Sequence, residues 1–296
     1  MGTPAVPEPV RWSVEESYAY CQALARARYE NFPVASRAVP RSIRPHVCAI
    51  YAFARAADDF ADEAPHEGRR LEELDGWEAR LDACAEGRAD HPVFVALGDT
   101  LRRFDMPLGP FRDLLDAFRQ DCRVRSYPRW DDLLDYCRRS ANPVGRLVLL
   151  LFGHRDEDRA RRSDSICTAL QLTNFWQDVA PDCGRGSVYL PEEDRRRFGV
   201  SEDDLRRERL HEGFRELMAE MIGRTRRVFE DGRPLLSLLR GRLGFEIRLV
   251  WLGGSRILDR IEAADYDVFR RRPRLTGLDK TRLAGRAVLL RWRARP

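Results

Sequence analysis

Helix start and stop signals recur along almost the whole chain of 296 residues, and strand-like alternation of apolar and polar residues is absent. Only "SVYLP" (187–191) has the character of a short extended piece. No internal repeat or low-complexity linker divides the chain, so we predict one all-α domain over residues 1–296. The predicted helical runs are about 13–30, 42–62, 67–87, 91–104, 110–124, 129–153 with an interruption at Asn142-Pro143, 156–180, 201–230, 234–265 and 277–292.

Composition limits the class of protein. Hydrophobic residues make up 43% of the chain and charged residues 34%, which is enough apolar material for a large core and too much for a disordered chain. No apolar run approaches the roughly 18 residues of a membrane span, and the N-terminus lacks the basic start and apolar stretch of a secretory signal. The seven cysteines include no C-x-x-C pair, which is typical of free thiols in a reducing compartment. We therefore expect a cytoplasmic protein.

The positive charge is concentrated at the C-terminal end. Residues 270–296 contain ten Arg or Lys against one Asp, within a net charge of +4 for the chain. Such a segment suits nucleic acid or an anionic membrane surface. Because no nucleic-acid motif accompanies it, we expect no nucleic-acid partner and predict peripheral, salt-sensitive membrane contact, with Leu289, Leu290 and Trp292 near its end. The alternative is a basic helix packed on the domain.

The stretch "YAFARAADDFADEA" (51–64) is alanine-rich and apolar, yet it carries a row of polar side chains. Positions three or four residues apart lie on one side of a helix. The polar positions on that side are Tyr51, Arg55, Asp58 or Asp59, and Asp62. A buried carboxylate is costly unless it is paired or bound to a metal, so we expect Asp58 and Asp62 to be buried against a cationic partner.

A second acidic row lies about 120 residues further on, in "QLTNFWQDVAPD" (171–182). Its members, again spaced by three or four residues, are Gln171, Asn174, Asp178 and Asp182. Two such faces opposite each other across a cavity would suit Mg²⁺, which prefers a few carboxylates together with water and phosphate oxygens. Such a site can expel diphosphate from an allylic or cyclopropylcarbinyl ester. The alternative is a solvated helix side.

Both acidic stretches resemble the two aspartate-rich motifs of the squalene/phytoene synthase family. The resemblance extends to "RYENFPVAS" (28–36), "YCRRSANPVG" (136–145) and "GSVYLPEEDRRRFGV" (186–200). It implies an all-α isoprenoid-synthase fold with a central cavity and a Mg²⁺-bound isoprenoid diphosphate substrate. The metal-side acids that the resemblance implies are Asp58, Asp62, Asp178 and Asp182. The catalytic residues that it implies are Tyr51, Arg55 and Tyr136, and the expected substrate-binding residues are Phe32, Gln171, Asn174 and Tyr189.

The second motif points to one branch of the family. Coupling synthases of the family usually have R-D-V-G-E-D where this chain has "QDVAPD" (177–182). With this change, and with the stretches "ENFPVAS" and "NFWQDVA", the chain resembles the hydroxysqualene synthases of hopanoid synthesis. That resemblance implies presqualene diphosphate as the one substrate, capture of its rearranged cation by water, Mg²⁺ or Mn²⁺ as cofactor, and no need for NADPH. The alternatives are a coupling synthase that makes presqualene diphosphate, squalene or phytoene, and a non-catalytic assembly protein with the same fold.

Pro181 has a local consequence within that motif. It removes a backbone N–H and disfavours helical geometry at the residue before it. We therefore expect the helix to be disturbed at Ala180 and Asp182 to lie at a helix end.

Overall fold

The computed structural model describes residues 12–27, 39–270 and 272–293, and all regular structure within these ranges is helical. The all-α prediction is confirmed. In "SVYLP", Val188 makes an isolated parallel bridge with Ser126. The helices are α1 (Val14–Ala27), α2 (Arg44–Asp62), α3 (Arg70–Ala85), α4 (Pro92–Phe104), α5 (Gly109–Asp121), α6 (Trp130–Ser140), α7 (Asn142–Leu151), α8 (Glu157–Gln177), α9 (Val179–Gly184), α10 (Glu192–Arg197), α11 (Glu202–Arg206), α12 (Glu212–Gly232), α13 (Leu235–Leu238), α14 (Gly241–Ala263) and α15 (Gly277–Arg293), with a 3₁₀ turn at Ala64–His66.

Two predicted helical runs are each divided in the structure. The single helix predicted over 201–230 is wrong: Glu208 has a φ of 52°, in the left-handed region that ends a right-handed helix, and α11 and α12 lie on either side of it. The run 234–265 is likewise divided into α13 and α14 before Gly241, whose φ is 63°. These breaks depend on the backbone conformation of a few residues, left-handed at Glu208 and extended at Leu239 and Arg240, which the apolar pattern of a helix does not reveal.

The chain folds into two compact units, Met1–Cys122 and Arg123–Pro296. In the first unit, α2 packs against α1, α3, α4 and α5. Its core is aromatic, because the buried rings of Phe53, Trp77, Phe94 and Phe111 lie in edge or stacked contact. The indole N–H of Trp77 donates to the backbone carbonyl of Phe53 at 3.2 Å, which ties α3 to the middle of α2.

A polar cluster fixes the N-terminal half of α2 within the same unit. The hydroxyl of Tyr18 on α1 donates to Asp99 on α4 at 2.8 Å and lies 2.8 Å from Nδ1 of His46 on α2. The hydroxyl of Thr100 lies 2.9 Å from the same nitrogen. Burial lowers the pKa of His46, which favours the neutral ring in this cluster. Helix α2 is therefore held by directional contacts as well as by apolar packing.

In the second unit, α8 packs against α6, α7, α12 and α14. Trp176 near its C-terminal end is fully buried and donates its indole N–H to Thr225 on α12 at 2.8 Å. Gly254 on α14 permits close helix packing, since a Cβ atom there would lie 2.6 Å from Phe229 and 2.8 Å from Leu170. The single domain over 1–296 stays a prediction. No helix within the described ranges has the length and apolar character needed to cross a membrane.

Candidate active site

The first acidic row lies at the C-terminal end of α2, in the first unit. Phe53, Ala57 and Ala61 of this helix are buried, so the polar row occupies another side. The guanidinium of Arg55 lies 3.1 Å from the carboxylate of Asp58 and 2.6 Å from that of Asp59. Arg55 therefore supplies an internal cationic partner for this row through contacts within one helix.

The expected burial of Asp58 and Asp62 is wrong. The side chain of Asp58 is 39% exposed and Asp62 is exposed, because both lie on the side of α2 that faces away from the buried Ala57 and Ala61. The last turn of α2 contains no basic residue. Carboxylates at a helix C-terminus oppose the helix dipole, so this end of α2 favours the approach of cations. Tyr51, one turn before Arg55, is half-buried.

The second acidic row runs from the end of α8 into α9, in the second unit. The backbone N–H of Asp178 donates to the carbonyl of Asn174, and the N–H of Asp182 donates to the carbonyl of Asp178, each at 2.9 Å. These i-to-i−4 bonds continue across the junction of the two helices, so the three residues stay stacked one turn apart. Gln171 lies one turn earlier on α8 and is half-buried, and Asn174 is exposed.

The position of the helix break differs from the expectation. The break is at Asp178, with φ −113° and ψ 21°, whereas Ala180 and Pro181 lie inside α9. Pro181 falls in the first turn of α9, where a proline is tolerated because its N–H would have no partner in that helix. Asp182 lies within α9, which ends two residues later at Gly184. The disturbance therefore falls on the first acid of the pair, and the hydrogen bond from Asp182 to Asp178 keeps their one-turn spacing.

Arginines contact both acids of the second row: Arg185 lies 3.8 Å from Asp182, and Arg272, which the sequence pattern did not single out, pairs with Asp178. One guanidinium nitrogen of Arg272 donates to Oδ2 of Asp178 at 2.7 Å, and its Nε donates to Oδ1, so the contact is two-pronged. The pKa of Arg272 is raised, chiefly by this hydrogen bonding to Asp178 and also by the charges of Asp178 and Asp182. In the sequence, Arg272 belongs to the run 270–272, which contributed only to the net charge of the C-terminal segment.

Gln177 has a structural partner in the same segment. Its side chain is 8% exposed, and its amide Nε2 donates to the backbone carbonyl of Pro273. The side chains of Gln177 and Asp178 thus hold Pro273 and Arg272, respectively, against the junction of α8 and α9. Helical spacing could not predict these two contacts, because the residues of each pair are more than ninety positions apart in the sequence.

Aromatic side chains lie beside the second row. Phe175 on α8 stacks on Tyr189 with ring centroids 3.8 Å apart and ring planes within 7° of parallel. Tyr136 on α6 is buried and lies 6.2 Å from both rings, and Tyr127 lies 5.4 Å from Tyr136. A small cleft is lined by Phe175 and Tyr189 together with Asp182. The predicted residues Tyr136 and Tyr189 therefore share one aromatic cluster next to the acids of the second unit.

The carboxylate and amide oxygens of both rows are suitable ligands for Mg²⁺. The remaining ligands of the ion would come from water and a phosphate group. Within the described ranges, no group of three or more His, Cys, Asp or Glu side chains is placed to hold a metal by itself. Mg²⁺ commonly binds one or two carboxylates and takes its other ligands from water and substrate phosphate. The opposition of the two rows across one cavity stays a prediction, since each row is described within its own unit. Phe32 and the stretch "RYENFPVAS" lie outside the described residues.

Comparison with known proteins agrees with the helical fold and the two motifs. The model of the family "Squalene/phytoene synthase" matches residues 6–279. A phytoene synthase of Arthrospira platensis is 33% identical over 270 residues, which cover 87% of each chain. The chain belongs to the squalene/phytoene synthase family. The family consists of isoprenoid synthases, which are enzymes.

Two solved structures extend this result. The squalene synthase HpnC from Alicyclobacillus acidocaldarius is 43% identical with a TM-score of 0.82, and the match covers 86% of this chain and 95% of that one. A dehydrosqualene synthase in complex with a ligand is 25% identical with a TM-score of 0.80, and that match covers 93% of this chain and 96% of the other.

Proposed function

We propose that this protein is a hydroxysqualene synthase that acts on presqualene diphosphate. In the proposed reaction the cyclopropylcarbinyl C–O bond breaks and diphosphate leaves with the electron pair. The carbocation rearranges, a water oxygen bonds to the cationic carbon, and that water loses a proton, so the products are hydroxysqualene and diphosphate. No reductant enters this balance, and NADPH is therefore not required. The 43% identity to the structure of a squalene synthase, HpnC, supports a member of the family that makes a squalene-type product.

The observation that carries the proposal is the environment of Gln177. Coupling synthases of the family usually have arginine at this position of the motif, where it would add a positive charge for a diphosphate. Here the side chain is a neutral amide, 8% exposed, and its donor is engaged by the carbonyl of Pro273. The position supports chain packing and contributes no charge, which favours a reaction with one diphosphate over the coupling of two prenyl diphosphates.

The two acidic rows have a clear role in such a reaction. Asp58, Asp62, Asp178 and Asp182 would hold Mg²⁺, which when bound stabilises the negative charge of the departing diphosphate. Arg55 is placed on the same helix side as the first row, and its guanidinium can donate charge-assisted hydrogen bonds to phosphate oxygens. We assign Tyr51, Gln171 and Asn174 to the same task, as hydroxyl and amide donors that orient the substrate.

The aromatic cluster of the second unit suits the carbocation. The ring faces of Tyr136, Phe175 and Tyr189 offer negative electrostatic potential without a nucleophilic charge, so they can stabilise a cation without trapping it. We also assign Phe32 to this wall. Tyr136 is buried among these rings, so we expect it to influence the fate of the cation more than the departure of diphosphate.

Product analysis tests the proposal. The protein is incubated with Mg²⁺ and presqualene diphosphate, and separately with Mg²⁺ and farnesyl diphosphate as the one prenyl substrate, each with and without NADPH. Hydroxysqualene from presqualene diphosphate, unchanged by NADPH, is the expected result. Presqualene diphosphate or squalene formed from farnesyl diphosphate would overturn it in favour of a coupling synthase.

The coupling alternative has support of its own, since the 33% identical relative is a phytoene synthase. Phytoene would require geranylgeranyl diphosphate, which is included as a third substrate. Failure to consume any of the three diphosphates would favour the non-catalytic assembly protein. Because substrate and product are lipids, we also propose that the protein works in the cytoplasm in peripheral contact with a membrane.

A further inference from the structure

Helix α15 is fixed to the second unit by a buried carboxylate at its first turn. The side chain of Asp279 is 5% exposed and accepts hydrogen bonds from the backbone N–H and the hydroxyl of Thr276, at 2.8 and 2.7 Å. Arg256 of α14 donates to the same carboxylate at 3.0 Å, and Arg260 also donates to it. The N-terminal end of α15 is therefore held by a capping box and two arginines of the neighbouring helix.

Apolar packing fixes the remainder of the helix. Leu283 and Ala287 are buried against Leu252 of α14, and Leu290 packs on the same cluster. The buried guanidinium of Arg248 donates to the backbone carbonyl of Ala287 at 3.1 Å. One side of α15 therefore packs against the protein core, and these contacts fix the orientation of the helix over about three turns.

The opposite side of α15 presents large apolar side chains to water. Leu278, Val288 and Leu289 are 60%, 54% and 65% exposed, the three highest values among the exposed large hydrophobic residues of the described ranges. Leu278 and Leu289 are eleven residues apart, close to three helical turns, so they lie along one line of the helix. Apolar side chains held in water on a fixed helix favour an apolar partner.

The same surface is cationic. Arg282 and Arg286 are exposed on α15 beside the apolar line, while its one acid, Asp279, is buried against Arg256 and Arg260. We call this surface, formed by Leu278, Arg282, Arg286, Val288 and Leu289, the outer face of α15. An apolar line with basic residues beside it is the pattern of a helix that lies in the interface of an anionic bilayer.

We propose that the outer face of α15 docks on a membrane containing anionic lipids. A symmetric contact with a second copy is less suitable, because a two-fold axis would bring the cations of one face against those of the other. A nucleic acid would engage the cations but would leave the leucines in water. The inference specifies the surface for the peripheral contact proposed above and rests on that contact, but it does not depend on the reaction.

The test is cosedimentation of the full-length protein, without substrate, with vesicles of phosphatidylcholine alone and with vesicles that also contain phosphatidylglycerol. We expect binding to the anionic vesicles that weakens as salt is raised. Leu278→Ser with Leu289→Ser should reduce the partition coefficient at least about tenfold, and Arg282→Glu with Arg286→Glu should do the same. The matched control is Arg161→Glu with Arg233→Glu, which reverses two charges at arginines 68% and 61% exposed elsewhere in the unit and should bind nearly normally.

Three outcomes would overturn the proposal. One is no binding to anionic vesicles, and another is equal loss in the control pair, which would indicate an effect of net charge alone. The third is self-association in sedimentation velocity that the Leu278→Ser, Leu289→Ser variant abolishes, which would assign the face to a second copy. Circular dichroism and thermal unfolding establish that each variant is folded. Product formation from detergent-dispersed substrate is measured in parallel, so that a wrong assignment of the reaction and a wrong assignment of the surface give different results.

Discussion

The two acidic rows have the same one-turn spacing but obtain their cationic partners in different ways. In the first row, Arg55 contacts Asp58 and Asp59, three and four residues away, and Glu63 at the C-cap, so α2 and its cap form the whole arrangement. In the second row, Asp178 is paired with Arg272, 94 residues away, by a chain segment that folds back onto the end of α8. The comparison shows that similar local charge balance can be built from helical geometry alone or from tertiary packing.

The two rows also differ in what a substitution can disturb. A change at Arg55 affects contacts within α2, whose course is set independently by the aromatic core and the polar cluster of the first unit. A change at Arg272 affects the attachment of a whole segment, because Gln177 and Asp178 bind adjacent residues of it. Metal removal and substitutions in each row can test whether the rows act together and whether this structural difference has measurable consequences.

Removal of divalent cations has the largest expected effect. Both rows offer hard oxygen ligands and no histidine or cysteine, so activity should require Mg²⁺ or Mn²⁺. Consumption of presqualene diphosphate should fall to background in excess EDTA and return when Mg²⁺ is added beyond the chelator. Full activity in excess EDTA would remove the metal role of both rows and reduce them to polar helix sides.

Neutralising one acid in each row tests whether they serve one reaction. Asp58→Asn and Asp178→Asn keep the shape of the side chain but remove its charge. Each should slow consumption of presqualene diphosphate by about two orders of magnitude or more, near 3 kcal/mol in the barrier. Single-turnover measurements on folded variants provide the rates.

The matched control for these changes is Asp75→Asn on α3. Asp75 is 68% exposed and pairs with Arg119, so its neutralisation should leave turnover close to normal. A normal rate for Asp58→Asn would contradict the role of the first row. A large loss for Asp58→Asn together with a small loss for Asp178→Asn would show that the rows are not equivalent.

Tyr136→Phe should separate the departure of diphosphate from the fate of the cation. The variant keeps the ring but loses the hydroxyl within the aromatic cluster of the second unit. Because the ring face that can stabilise a cation is retained, consumption should stay within about tenfold of wild type. The ratio of hydroxysqualene to other products should change more than consumption does, as measured by chromatography. An unchanged ratio with strongly reduced consumption would instead place Tyr136 in the first step.

The smallest expected effects concern stability and distinguish the two arginines. Arg55→Gln and Arg272→Gln each remove part-exposed ion pairs, so each should lower the free energy of unfolding by only about 0.5–1 kcal/mol in urea titrations. Their local consequences should differ. Arg272→Gln should speed amide hydrogen exchange at 274–276, while Arg55→Gln should leave that segment unchanged. Equal exchange in both variants would show that the contact with Asp178 does not hold the segment in place.

Much of the helical pattern could be predicted from local chemistry. The capping box of Ser13 and Glu16 is present as expected, with the Ser13 backbone N–H and hydroxyl both donating to the Glu16 carboxylate. The prolines opening α2, α4, α5 and α7 lie in first turns. The predictions that failed depended on the backbone conformation of a few residues, such as the left-handed Glu208 between α11 and α12. The periodicity of apolar side chains does not reveal the backbone conformation of one residue.

By itself, the sequence determined that the chain is helical, that two acidic rows exist and that Arg55 can reach the first of them. These are properties of residues within two turns of one another, and helical geometry fixes their distances. Only the tertiary structure decided that Arg272 pairs with Asp178, that Gln177 holds Pro273, that Asp58 and Asp62 are accessible, and that α15 turns three large apolar side chains toward water. Those features depend on which distant segments pack together and which helix side remains uncovered. Spacing along the chain carries no information about either.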